Sequence, residues 1–88
     1  MSYKLDFSAK ADLDIDFHKK SGNKILLKKL FILLNEVVET PFEGTGKPEA
    51  LKHSLIGCWS RRINIEHRLT YEVKGDIVFI LSAKGHYE

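Results

Sequence analysis

The sequence predicts an α+β fold: an N-terminal strand, a two-helix hairpin, then an antiparallel four-strand meander, with the helices packed on one face of the sheet. Three observations carry this. Apolar residues recur at steps of three and four through the first half of the chain, the helical period, and at steps of two beyond Pro48. The runs of period two are separated by turns of two to four residues, which join antiparallel neighbours. Finally, 88 residues with 43% hydrophobic and 30% charged side chains supply one core. No linker rich in Pro, Gly or Ser divides them, so residues 1–88 are read as a single domain.

Each element has its own signal. Tyr3, Leu5 and Phe7 alternate with Ser2, Lys4 and Asp6, the pattern of a half-buried strand. Ser8 is a helix N-cap, and from Ala9 an apolar stripe of Ala9, Leu13 and Phe17, adjoined by Ile15, predicts a short amphipathic helix. Asp12 near its start and His18, Lys19 and Lys20 near its end suit the helix dipole. Ser21-Gly22-Asn23 ends that helix and offers a cap for the next. Ile25–Glu39 is the strongest helical stretch, because Leu26 and Leu27, Leu30 and Phe31, Leu33 and Leu34, and Val37 and Val38 repeat along one side. Pro41 disfavours a helical Thr40, and Pro41–Pro48, with two prolines and two glycines, is a loop. Four strands follow, Ala50–Leu55, Cys58–Asn64, Arg68–Val73 and Ile77–Lys84, with turns at Ile56-Gly57, Ile65-Glu66 and Lys74-Gly75-Asp76.

Strand alternation assigns side chains to faces. With odd-numbered residues against the helices, Leu51, Trp59, Ile63, Leu69, Tyr71, Val73, Ile77, Phe79, Leu81 and Ala83 point inward. Lys52, Arg62, Arg68, Lys84 and, if the strand continues, His86 then converge on the open face as a cationic concave surface. Glu49 enters it from the loop before the second strand. Arg61 and His53 fit no apolar face and are expected near the sheet's edge.

Net charge is only +2, yet it is unevenly placed. Between Thr45 and Tyr71 there are five cations (Lys47, Lys52, Arg61, Arg62, Arg68) against two anions (Glu49, Glu66), a modest phosphate-facing surface. The lone Cys58 has no partner for a disulfide or a C-x-x-C motif and is read as a buried structural residue. The amino terminus lacks a secretory signal and no apolar run is long enough to span a bilayer, so the cytoplasm is the expected location, with no membrane association.

PFEG (residues 41–44), GKPE (46–49), LKH (51–53), W-S-R-R (59–62), E-H-R-L-x-Y (66–71) and the pair His86-Tyr87 follow one another in order. Together they resemble the YoeB/Txe family of bacterial toxins within the RelE/ParE superfamily, strongly over residues 40–87. The resemblance implies a RelE-like fold and an mRNA endoribonuclease that acts in the ribosome, forms homodimers and is silenced by a YefM-like antitoxin. It places Glu49, Arg68, His86 and Tyr87 on catalytic positions and Lys52 and Arg62 on supporting ones. Lys84 adds positive charge beside them, and Gly85 replaces an aromatic found in some members.

Metal-free RNA cleavage needs a base for the ribose 2′-OH, a clamp for the charge growing on phosphate, and an acid for the departing 5′-oxygen. Glu49, Arg68 and His86 can fill these parts, and Tyr87 can stack on a base or orient the phosphate. No cofactor is implied. His53, His67 and His86 lack the spacing of a zinc site. Gly44-Thr45-Gly46-Lys47 is not a phosphate loop, since Pro48 stands where a magnesium-binding hydroxyl belongs. Trp59 reads as core or dimer contact. Two rivals stay open: a ParE-like toxin that blocks gyrase by binding it, and a noncatalytic nucleic-acid-binding module.

Overall fold

In the computed structural model, which describes residues 2–85, the Ser8 hydroxyl accepts the Ala11 amide and starts the first helix, as its place after an alternating strand predicts. The order is β1 (Lys4–Phe7), α1 (Ala9–Ser21), α2 (Lys24–Val37), β2 (Glu49–Ala50), a 3₁₀ turn (His53–Leu55), β3 (Cys58–Arg62), β4 (Arg68–Lys74) and β5 (Ile77–Ser82). Gly22 ends α1 in the left-handed conformation, and the Asn23 side chain caps α2 at the Leu26 amide. The sheet runs β1-β5-β4-β3-β2; β1 lies parallel to β5 and every other pair is antiparallel. The helical hairpin supplies Leu26, Leu30, Leu33, Leu34 and Val37 to a core closed by Ile63, Leu69, Tyr71, Val78, Ile80 and Ala83. The expected α+β layering is therefore present.

Four expectations about detail are corrected. First, α1 does not bury Ala9, Leu13 and Phe17. Leu13 is 70% and Phe17 47% exposed, while Ala11, Asp14 and His18 are the buried positions. An apolar stripe was the wrong criterion because two polar side chains of this helix satisfy backbone groups of the sheet. Second, β2 stops at Ala50. The Leu51 amide still reaches the Cys58 carbonyl, but His53 takes φ 59° and the chain turns through Leu55. Glu49 is thus a strand residue, and the alternation assigned to residues 50–55 has no strand to carry it.

Third, the odd-numbered face is not uniformly inward. In β5 the core residues are Val78 and Ile80, with Ile77 and Phe79 only half-buried on the other side. Thr70 pairs with Ser82 and Tyr71 with Ile80, so Leu81 has no residue opposite it. This β-bulge reverses the alternation, putting Ala83 in the core and Ser82 on the open face. The Leu81 carbonyl released by the bulge accepts the Ser8 hydroxyl at 2.9 Å.

Arg61 is fully buried, not at the edge. Its Nε donates to the Tyr71 hydroxyl at 3.1 Å, and its Nη atoms donate to the carbonyls of Thr40, Glu43 and Thr45 and to Glu36 Oε1 at 3.3 Å. Hydrogen bonds from Thr45, reinforced by the Arg61 charge, hold the Glu36 carboxyl below its ordinary value. One guanidinium thereby ties α2 and the Pro41–Pro48 loop to β3. Breaking such a buried network costs about 3–5 kcal/mol, so Arg61→Ala should lose stability of that order in urea unfolding. A loss under about 1 kcal/mol would show that water replaces these contacts.

Candidate active site

The open face is built from strand register. Glu49 pairs with Ser60, Ser60 with Thr70 and Thr70 with Ser82, so these four side chains form one row across four strands. In the next row Arg62 stands opposite Arg68. Two like charges face each other across a strand pair, which stability alone disfavours. Ser60, Thr70 and Ser82 are all buried, giving the cationic row a floor of hydroxyls.

Arg68 is fixed above that floor. Its Nε donates to Ser60 Oγ at 3.0 Å, while Nη2 lies 3.9 Å from Glu49 Oε1. The second distance is too long for a hydrogen bond. Ser60 therefore orients the guanidinium, whose outer nitrogens face a carboxylate without being locked to it. Glu49 itself is solvent-accessible, its side chain 66% exposed. Its approach is set by the preceding loop: the Arg62 amide donates to the Gly46 carbonyl at 2.7 Å, and a Cβ on Gly46, where φ is 86°, would come within 2.8 Å of the Arg62 carbonyl. Thr70 Oγ1 is buried and has no hydrogen-bond partner among the described residues.

The structure thus brings Glu49, Arg62 and Arg68 onto one surface. Lys52 is exposed just past the end of β2, ahead of the 3₁₀ turn. Lys84 is drawn elsewhere, its ammonium 4.0 Å from the centre of the Phe17 ring on α1. His86 and Tyr87 lie outside the described residues. Trp59 packs against the core and meets Phe42 with ring centres 5.0 Å apart. Cys58 is buried, and burial, with the nearby charge of Glu72, raises its thiol above the ordinary value.

Three residues to which the sequence reading gave no place in the site hold the chain where β5 ends. Asp14 Oδ2 accepts the Ala83 amide at 3.0 Å, and His18 Nε2 lies 2.7 Å from the Ala83 carbonyl, which makes it the donor. His67 Nδ1 accepts the Gly85 amide at 2.9 Å, and the Gly85 carbonyl accepts the Arg68 amide at 2.8 Å. The His18 and His67 rings meet edge to face, 4.8 Å between centres. Burial first, then the neighbouring His18, lowers the His67 pKa from its ordinary 6.5. The signal in the sequence was the i,i+4 spacing of Asp14 and His18 on the same side as Ala11, which an apolar-only stripe ignores.

Comparison with known proteins gives a consistent outcome. The family described as YoeB-like toxin of bacterial type II toxin-antitoxin system matches residues 7–87. Toxin YoeB of Escherichia coli strain K12 is 51% identical over 65 residues, 74% of this chain and 77% of its own. Among solved structures, the YoeB dimer from Staphylococcus aureus superposes with a TM-score of 0.86 at 40% identity, covering 99% of this chain and 100% of that one. The YoeB-YefM complex from the same organism gives 0.84 at 41% identity, with the same coverage.

The Ser60 contact is the testable part of this geometry. Ser60→Ala should lower stability by about 1 kcal/mol and speed exchange of the Arg68 Nε proton, read by NMR, about fivefold. Unchanged exchange would mean that Ser60 does not hold the guanidinium.

Proposed function

The chain belongs to the YoeB-like toxin family of bacterial type II toxin-antitoxin systems, and from that membership we propose that it is an endoribonuclease that cuts mRNA on the ribosome. The observation that carries this reading is the orientation of Arg68 by Ser60, with Glu49 Oε1 3.9 Å from its outer nitrogen. That spacing leaves both groups free to engage one phosphodiester. Glu49 takes the proton of the ribose 2′-OH, and the resulting oxygen attacks the adjacent phosphorus. Arg68 donates hydrogen bonds to the phosphoryl oxygens as charge grows on them, with its planar fork suited to bind two at once. His86 protonates the departing 5′-oxygen, and Tyr87 stacks on or orients the substrate. Lys52 and Arg62 attract the RNA backbone, while Lys84 stands against Phe17 on α1.

The chemistry so assigned needs no cofactor, because base, acid and anion clamp are all side chains of this chain. A patch this small binds free RNA weakly at cellular salt, which favours mRNA already held by the ribosome. The whole of residues 1–88 is read as one toxin domain acting in the cytoplasm; among the described residues no helix is long and apolar enough to cross a membrane. A homodimer and a YefM-like antitoxin are the proposed assemblies, supported by the similar proteins crystallised as a YoeB dimer and as a YoeB-YefM complex.

Primer extension on mRNA from cells expressing the wild type, Glu49→Gln and His86→Gln tests this. The wild type should leave cuts within translated codons, and each variant should reduce them about 100-fold or more. No cuts in the wild type would rule the nuclease out. Toxicity that survives both substitutions would instead indicate a toxin acting by binding gyrase or another target.

A further inference from the structure

Beyond β5 the backbone is held by side chains. The two polar groups of Ala83 are taken by Asp14 and His18, and the two of Gly85 by His67 and the Arg68 amide. Gly85 immediately precedes His86. We propose that neutral His67 is a positioning residue: by accepting the Gly85 amide it fixes the point from which the chain enters His86 and Tyr87, and its protonation releases that point.

The argument is one of donors and acceptors. An amide N–H can donate only to an unprotonated ring nitrogen, so His67 Nδ1 must carry a lone pair in this arrangement. Protonation turns that nitrogen into a donor facing another donor, and the contact becomes repulsive. His18 works in the opposite sense, its Nε2–H donating to a carbonyl, so its contact tolerates a second proton. The charged and titratable groups around His67 are His18 and Asp14 from α1, Lys84 beyond β5, and Glu66 on its own turn. Burial, His18 and Lys84 oppose protonation; Glu66 and Asp14 favour it less strongly, and the pKa falls below 6.5. With the folded value depressed, the clamp is complete above pH 6.5 and is lost as pH falls through the lower value.

This also separates the roles within Glu66-His67-Arg68. Arg68 presents its side chain to the open face and its amide to Gly85, while its neighbour His67 secures the same glycine from the other side. The inference rests on reading His86 as the proton donor, and the experiment distinguishes failure of that reading from failure of the clamp.

The test follows Gly85 amide exchange by NMR in the full chain across about pH 5–8, alongside cleavage of ribosome-bound mRNA, in the wild type, His67→Asn and His67→Phe. Asparagine keeps an acceptor near the Nδ1 position and cannot be protonated there. The wild type should lose Gly85 protection as His67 titrates, and His67→Asn should keep it throughout and lose the acidic fall in kcat. His67→Phe should lose it at every pH and lower kcat about five- to tenfold with KM little changed. Wild-type protection that ignores His67 titration, or an Asn variant that titrates like the wild type, overturns the clamp, and both readings remain should the Phe variant fail to fold. A clamp that titrates as described in a chain that never cuts RNA upholds the inference about Gly85 and removes the nuclease reading instead.

Discussion

One unpaired residue in the last strand governs where residues 83–85 go. Up to Ile80 the inward positions of β5 are even-numbered; after Leu81 they are odd. Without that bulge, continued alternation would turn Ser82 inward and send Ala83 to the open face. The bulge is held by Ser8, whose hydroxyl caps α1 and accepts from Ala11 while donating to the Leu81 carbonyl. The helix start and the strand irregularity therefore share one side chain, and α1 then reaches forward through Asp14 and His18 to hold Ala83. Helix, bulge and the Ala83 backbone form one mechanical unit.

The opposite side of the site depends on a different anchor. Glu49 lies on a two-residue strand that pairs with β3 alone, so its position is only as good as the loop that delivers it. Arg61 supplies that rigidity from beneath, its buried guanidinium fastening the carbonyls of Thr40, Glu43 and Thr45. A buried cation is costly unless every donor is matched, and here Tyr71, Glu36 and the loop carbonyls match them. The two neighbouring arginines of β3 thus do opposite work: Arg61 organises the loop from inside, and Arg62 charges the surface outside.

Much of this was legible. Periodicity located both helices and β1, and located β3 to β5 to within two residues, although in α1 the stripe it marked is the exposed side. Strand alternation put Arg62 and Arg68 on one face with Glu49 entering beside them, and the register agrees with that layout, since the relation of residues 60, 62, 68 and 70 follows from simple pairing across one turn. What was not legible depended on irregular backbone. Nothing local marks Leu81 as a bulge, as its carbonyl is satisfied by a residue 73 positions earlier. The truncation of β2 reflects a left-handed His53, a conformation uncommon for any residue with a side chain even though histidine adopts it more readily than most. Arg61 looked like an edge residue because its partners come from α2 and a distant loop, and the part of Asp14 and His18 went unread because their partner, Ala83, lies more than 60 positions away.

The most direct measurement is the chemistry of the ends left on cut mRNA. In the proposed reaction, attack by the 2′-oxygen with Glu49 as base and protonation of the leaving 5′-oxygen by His86 would yield a 5′-hydroxyl on the downstream fragment. The upstream fragment then ends in a 2′,3′-cyclic phosphate or its hydrolysis product. Finding those ends, and losing them in Glu49→Gln, agrees with the account. Downstream fragments bearing a 5′-phosphate would contradict it, since water rather than the ribose would then be the nucleophile and the roles given to Glu49, Arg68 and His86 would not stand.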